Sequence, residues 1–243
     1  MTSVVRSRRS FLKNSFIAAG VSLSGLTFSS AFGLKPARAA EDDIQTILDV
    51  AATAEAFACT HYARAISSAL FNDVQTSYLK AGLDSEFQHL AFLQANGAKL
   101  LAEKFYFPVD TFASTTNFSQ VTAIAETVFV AAYLAATNRF AELGQASLAT
   151  TAAQIAVVEG QHLAVVRIIG GELANNIAYG KTLFGQVSEA VSVVAPLLDG
   201  QEGVLGPMEK SSVSFPGSAS IRNIIGDSQL DAVEPFVNQN KNT

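Results

Sequence analysis

From Asp42 to about Leu70 the chain runs through Ala, Ile, Leu and Phe without a glycine or a proline, which predicts one long helix. Glu55, Cys59 and Tyr62 stand at i, i+4 and i+7 on one stripe of it, whereas His61 falls off that stripe and is expected at the surface or periphery. Asn72 and Asp73 break and cap the chain, and a second helix is predicted from about Val74 to Lys104, with Gly82 and Gly97 interrupting it without ending it. The polar and aromatic stretch 105–119 is the first long connection. A third helix is predicted from about Ser119 to Leu143, a turn at Gly144 and Gln145, and a fourth helix from about Ser147 to Ile169, stopped by Gly170 and Gly171. Connections that run short, long, short belong to an all-α four-helix bundle with one long crossover, because short links make antiparallel neighbours and a long one traverses the bundle. Beyond Glu172 one more helix is predicted from Lys181 to Leu198. An irregular Gly- and Pro-containing tail follows, with a short helical piece or two between Ser220 and Val237. This extension, 172–243, is expected to dock on the outside of a bundle formed by 40–171.

Within the helices a short motif occurs twice. Glu86-Phe87-Gln88-His89-Leu90-Ala91 returns as Glu159-Gly160-Gln161-His162-Leu163-Ala164. Residues three apart share a helix face, so each E-x-x-H copy points a carboxylate and an imidazole into one space. One more glutamate precedes each copy inside an apolar run: Glu55 lies 31 residues before Glu86, and Glu126 lies 33 before Glu159. Each is followed seven residues later by a tyrosine, Tyr62 and Tyr133. Seven residues amount to about 10 Å along a helix axis, so the tyrosines read as core residues or as neighbours outside a ligand shell.

The surroundings of these acids decide their chemistry. Glu126 and Glu159 sit among Ala, Ile, Val, Phe and Leu with no lysine or arginine nearby on their stripes. An ionised carboxylate in such a core costs several kcal/mol unless it is paired. Two divalent cations would balance four carboxylates, with one neutral imidazole completing each shell. Protonated glutamates bonded to histidines would account for one buried pair. They do not account for two copies at near-equal spacing that use two of the three histidines in the chain. The candidate metal ligands are therefore Glu55, Glu86, His89, Glu126, Glu159 and His162. Mixed carboxylate and imidazole ligation suits two ions of iron or manganese.

Composition adds a compartment. Ser7-Arg8-Arg9-Ser10-Phe11-Leu12-Lys13 precedes a moderately apolar run and the small-residue stretch Ala37-Arg38-Ala39, so residues 1–39 read as a twin-arginine signal peptide. The expected partner is the twin-arginine export machinery, and the expected location is the periplasm or the extracellular space. Export of an already folded protein suits one loaded with metal beforehand. No later segment reads as a membrane span. Six of the 16 basic residues lie in the signal and none of the 21 acidic ones does, so ten basic side chains remain against all 21 acids, a net charge of −11. That balance argues against nucleic acid and anionic membranes as partners. Cys59 is the only cysteine, which leaves no intrachain disulfide and reads as a small buried hydrophobe.

Glu55, Glu86-x-x-His89, Glu126 and Glu159-x-x-His162 resemble the ligand set of the ferritin-like di-metal carboxylate proteins, over about residues 42–170. The signal, the alanine-rich bundle and the Gly-Pro and Phe-Pro-Gly turns of the tail also resemble the exported ferritin-like proteins that include the plant desiccation-related group. The resemblance implies a ferritin-like four-helix bundle in which Glu86 and Glu159 or their partners bridge two metals and Glu55 and Glu126 bind terminally. It also implies redox chemistry with oxygen or peroxide, ferroxidase-like or catalase-like. The alternative is a non-catalytic metal-binding or stress-protection protein of the cell envelope. A storage cage fits less well, because the C-terminal extension would have to be accommodated in the shell. No motif for an organic substrate is visible, and a homo-oligomer remains open.

Overall fold

The computed structural model describes residues 41–203, 205–227, 230–231 and 233–239; the signal peptide expected in residues 1–39 lies outside them. Four long helices dominate the fold: α1 (Ile44–Ser67), α2 (Asp73–Ala95), α3 (Thr115–Glu142) and α4 (Ala146–Ile169). Side-chain caps start the first three. Asp43 accepts from the Thr46 N–H at 2.7 Å, Ser114 accepts from Asn117, and Asn72 and Gln75 form a reciprocal capping box.

Helix α2 stops at Ala95, nine residues before the expected end at Lys104. Gly97 adopts φ 95°, and the amides of Gly97 and Ala98 turn back to the carbonyls of Gln94 and Leu93. A residue with a side chain would be strained in that left-handed conformation, so Gly97 terminates the helix instead of merely interrupting it. The connection to α3 is correspondingly longer, and α3 begins earlier than expected, at Thr115.

Each short link makes an antiparallel hairpin. Gln45 near the start of α1 bonds the Gly97 carbonyl beyond the end of α2 at 3.1 Å. Gly170, just past α4, lies against Ser119 near the start of α3, where an added Cβ would come within 2.8 Å of the Ser119 Cβ. The crossover then sets α1 and α3 antiparallel. Arg139 at the end of α3 donates to the Asp42 carbonyl at 2.8 Å, and His61 toward the end of α1 meets Thr122 near the start of α3.

His61 is not peripheral. It is 2% exposed, stacks on Phe118 with ring centroids 4.9 Å apart and planes within 7°, and lies against Phe57 and Phe107. The Thr122 hydroxyl donates to the Phe118 carbonyl, so its oxygen is left to accept from Nε2 of His61 at 2.8 Å. The aromatic crossover covers a position that helix periodicity alone leaves outside. Burial, reinforced by the nearby Arg64 charge, lowers the imidazole from its ordinary value to about 3. The unfolded chain therefore binds a proton that the folded chain refuses between about pH 6.5 and pH 3, and stability falls as the pH drops through that window. The expected loss from this group by pH 5 is about 2 kcal/mol. His61→Phe should abolish that part of the acid sensitivity, as read from denaturant unfolding at pH 7 and pH 5.

The extension wraps the bundle. In place of the helix expected from Lys181, the chain is irregular to Gln186, forms a 3₁₀ turn (Val187–Ala190) and then α5 (Val191–Asp199), which buries Val191 and Leu197. Asp42 fixes that entry, its N–H bonding Gln186 and its carboxylate accepting from the Ser188 N–H. A two-stranded ladder not foreseen from the sequence pairs β1 (Lys104–Phe105) antiparallel with β2 (Val213–Ser214), stitching the extension to the crossover. Two further short helices, α6 (Gly217–Ile225) and α7 (Phe236–Gln239), pack on α2 and α4 respectively.

Helices α3 and α4 are long and apolar enough, by length and composition, to cross a membrane, a test that the core helices of a bundle also pass. They pack along one another and carry Glu126 and Glu159, both buried, in their central turns.

Candidate metal centre

The six expected ligands meet between the two hairpins, one set of carboxylates from every long helix. Glu55 comes from α1, Glu86 and His89 from α2, Glu126 from α3, and Glu159 and His162 from α4. They form two groups, each with ligand atoms all within 4.8 Å of one another: Glu55, Glu86, His89 and Glu159, and Glu86, Glu126, Glu159 and His162. Glu86 and Glu159 belong to both. Nδ1 of His89 lies 3.4 Å from Glu86, 3.3 Å from Glu159 and 3.7 Å from Glu55. Nδ1 of His162 lies 3.0 Å from Glu86 and 3.2 Å from Glu159.

The tyrosines are not ordinary core residues. The Tyr62 hydroxyl donates to Oε1 of Glu126 at 2.7 Å, and the Tyr133 hydroxyl donates to Oε1 of Glu55. Each bond crosses from one hairpin to the other. The equal seven-residue offsets were the signal for this pairing: with α1 and α3 antiparallel, a tyrosine two turns beyond one glutamate comes level with the glutamate of the facing helix. Burial, then the nearby carboxylates, push both phenols well above their ordinary range, so they remain donors. Gly82 on α2 makes room for the Tyr62 ring, since a Cβ there would lie 3.4 Å from two ring carbons.

A second supporting residue, Ser85, carries no signal in the repeat, because Val158 occupies its place in the other copy. Its hydroxyl donates to the Gly82 carbonyl at 3.0 Å and so accepts from Nε2 of His162 at 2.7 Å. That fixes the tautomer with the lone pair on Nδ1, the nitrogen aimed at the carboxylates.

The carboxylates and imidazoles have more acceptor capacity than the protein satisfies. Oε2 of Glu55, both oxygens of Glu86, Oε2 of Glu126, Oε1 of Glu159 and Nδ1 of His89 are buried without a hydrogen-bond partner. Burial, followed by the charges of Glu86 and its neighbours, raises Glu55 and Glu126 well above the usual carboxylate range. For Glu86 burial works in the same upward direction, but the two imidazoles outweigh it and hold it below that range. Burial alone would lower both histidines, and the facing carboxylates instead raise them. Without a cation, protons must supply the compensation. A donor set of oxygens and imidazole nitrogens converging on one buried space, with several acceptors unpaired, fits divalent metal ions.

Removing one supporting bond should loosen this set measurably. Tyr62→Phe keeps the ring and deletes the donor to Glu126, and metal affinity is expected to fall about 10- to 100-fold, the usual cost of losing an outer hydrogen bond to a ligand. A competition titration against a chromophoric chelator reads this directly, with Tyr133→Phe as the matching change in the other half.

Comparison with curated proteins and with solved structures found no match. A family model described as a ferritin-like domain matches residues 42–172, the span from the residue before the α1 cap to just beyond α4. Four antiparallel-paired helices with one long crossover and a buried carboxylate–imidazole cluster between them agree with that match, and the chain belongs to the ferritin-like domain family.

Proposed function

We propose that the chain binds two ions of iron or manganese and carries out redox chemistry with oxygen or peroxide. The unpaired buried acceptors of the six converging side chains support this reading most directly. Glu86 and Glu159, common to both groups, would bridge the ions. Glu55 and His89 would complete one shell, and Glu126 and His162 the other. Two such ions supply two electrons together when oxygen or peroxide is reduced.

The chain's own residues set the conditions for that chemistry. Tyr62 and Tyr133 each occupy one oxygen of a terminal carboxylate and leave the other directed inward. Ser85 holds the His162 ring in the ligating tautomer. All four glutamates are at most 1% exposed, so solvent approaches the cluster only from its imidazole side. A purely structural site would have no need of an opening, yet both imidazoles border a cavity. That favours turnover over non-catalytic metal storage or stress protection. The Ser-Arg-Arg-Ser-Phe-Leu-Lys stretch at residues 7–13 supports twin-arginine export and action outside the cytoplasm.

Elemental analysis of protein isolated from its natural compartment should find iron or manganese near two per chain. The same protein should consume oxygen or peroxide in an electrode assay. Two ions per chain with no consumption would leave metal binding standing and overturn the redox reading.

A further inference from the structure

The ligand cluster is sealed on its carboxylate side and open on its imidazole side. Glu55, Glu86, Glu126 and Glu159 are 0–1% exposed, whereas the side chains of His89 and His162 are 12% and 10% exposed. Both histidines line a cavity of about 900 Å³ in the seam between α2 and α4, roofed by Leu230, Asp231, Val233, Glu234, Pro235 and Asn238 of the extension. The roof is pinned to α4, the Phe236 N–H donating to Oε1 of Gln154 at 2.8 Å and the Val237 N–H to the Thr151 hydroxyl at 3.1 Å. Nε2 of His162 is taken by Ser85, but no described residue is bonded to Nε2 of His89.

We infer that this cavity binds an organic molecule of ring size or larger that carries no negative charge, held with one edge against His89 and His162. The volume argues for this, because a passage for oxygen, peroxide or a metal ion needs little more than the width of water, whereas pockets for small organic ligands span about 300–1,000 Å³. The lining argues against an anion. Leu79, Phe92, Ile155, Val158 and Val166 give apolar walls, and Gln88, Asn96, Gln161 and Asn238 give amide hydrogen-bonding groups. Among the described lining residues there is no lysine or arginine to hold an anion, and the roof carries two acids, Asp231 and Glu234. The sequence offered no motif for such a site, because its walls come from four segments, α2, α4, the extension and Tyr62 of α1, brought together only by the fold. The inference rests on the metal reading only for what lies at the cavity floor; the cavity exists in the chain without metal.

The test uses the uncharged fluorophore N-phenyl-1-naphthylamine, which brightens in apolar surroundings, with the full chain both metal-free and loaded with cobalt(II). Saturable binding of about one probe per chain is expected. Ala91→Trp from the α2 wall and Val158→Trp from the α4 wall should each weaken it at least tenfold while keeping wild-type helical circular dichroism. In the cobalt-loaded chain the bound probe should shift the cobalt visible bands, because the cavity touches the imidazoles. Absence of probe binding, or equal binding by both filled variants, overturns the inference. Two cobalt ions without probe binding would sink the cavity reading and spare the metal centre. Probe binding lost in both filled variants, in a chain that takes up no cobalt, would do the reverse.

Discussion

If the chain holds two ions as proposed, Glu86→Gln or Glu159→Gln is expected to abolish both metal sites at once, whereas Glu55→Gln or Glu126→Gln is expected to spare one ion. The difference follows from how the cluster is shared. Glu86 and Glu159 contribute to both ligand groups and are 0% exposed, while Glu55 belongs only to the His89 group and Glu126 only to the His162 group. Removing a shared charge leaves each group with too few anions to offset the cost of dehydrating a divalent ion in an apolar core. Removing an unshared one leaves the other group complete. The expected metal content after anaerobic loading with manganese and dialysis is near zero for Glu86→Gln and Glu159→Gln, about one for Glu55→Gln and Glu126→Gln, and two for the wild type. Equal losses at all four positions would mean that the carboxylates do not divide into shared and unshared.

Chelation is expected to lower the unfolding temperature of the metal-loaded chain by about 10–20 °C, reversibly. In the absence of cations, burial and mutual repulsion disfavour ionisation of Glu55 and Glu126, and several buried acceptors have no partner. Binding relieves both penalties and acts only on the folded chain. Two sites, each filled at about a hundred times its dissociation constant, contribute about 5 kcal/mol. In a chain of this length each kcal/mol moves the midpoint by about 2–4 °C. Scanning calorimetry with and without chelator, followed by restoration with manganese, measures the effect. Glu86→Gln serves as the control, since its midpoint should no longer respond to the chelator.

The bundle and the convergence of the six candidate ligands were legible because they depend on local spacing. A three-residue step puts Glu86 with His89 and Glu159 with His162 whatever lies around them, and the short, long, short connections fix which helices face one another. What was not legible depended on contacts between distant segments. His61 was read as peripheral because its own helix gives no hint that Phe107 and Phe118 fold over it. Tyr62 and Tyr133 were placed near the cluster without their role, since their partners lie on the facing helix. Lys104 was assigned to α2 because an isolated glycine is compatible with a helix, and only its positive φ shows Gly97 ending one. Ser85 and the cavity had no periodic signature at all.

The two tyrosine bonds exchange partners between the halves of the chain: α1 supplies the donor for α3, and α3 supplies the donor for α1. A pair of identical helical hairpins related by a twofold axis would make both bonds with a single tyrosine and a single glutamate, and E-x-x-H would then need to occur only once per copy. The chain thus has the internal pseudo-symmetry of two like hairpins joined in one polypeptide. Ser85 and Val158, at matching places in the two motif copies, break that equivalence, and His162 alone of the pair has the Ser85 hydroxyl at its Nε2 among the described residues, so the two half-sites are free to differ.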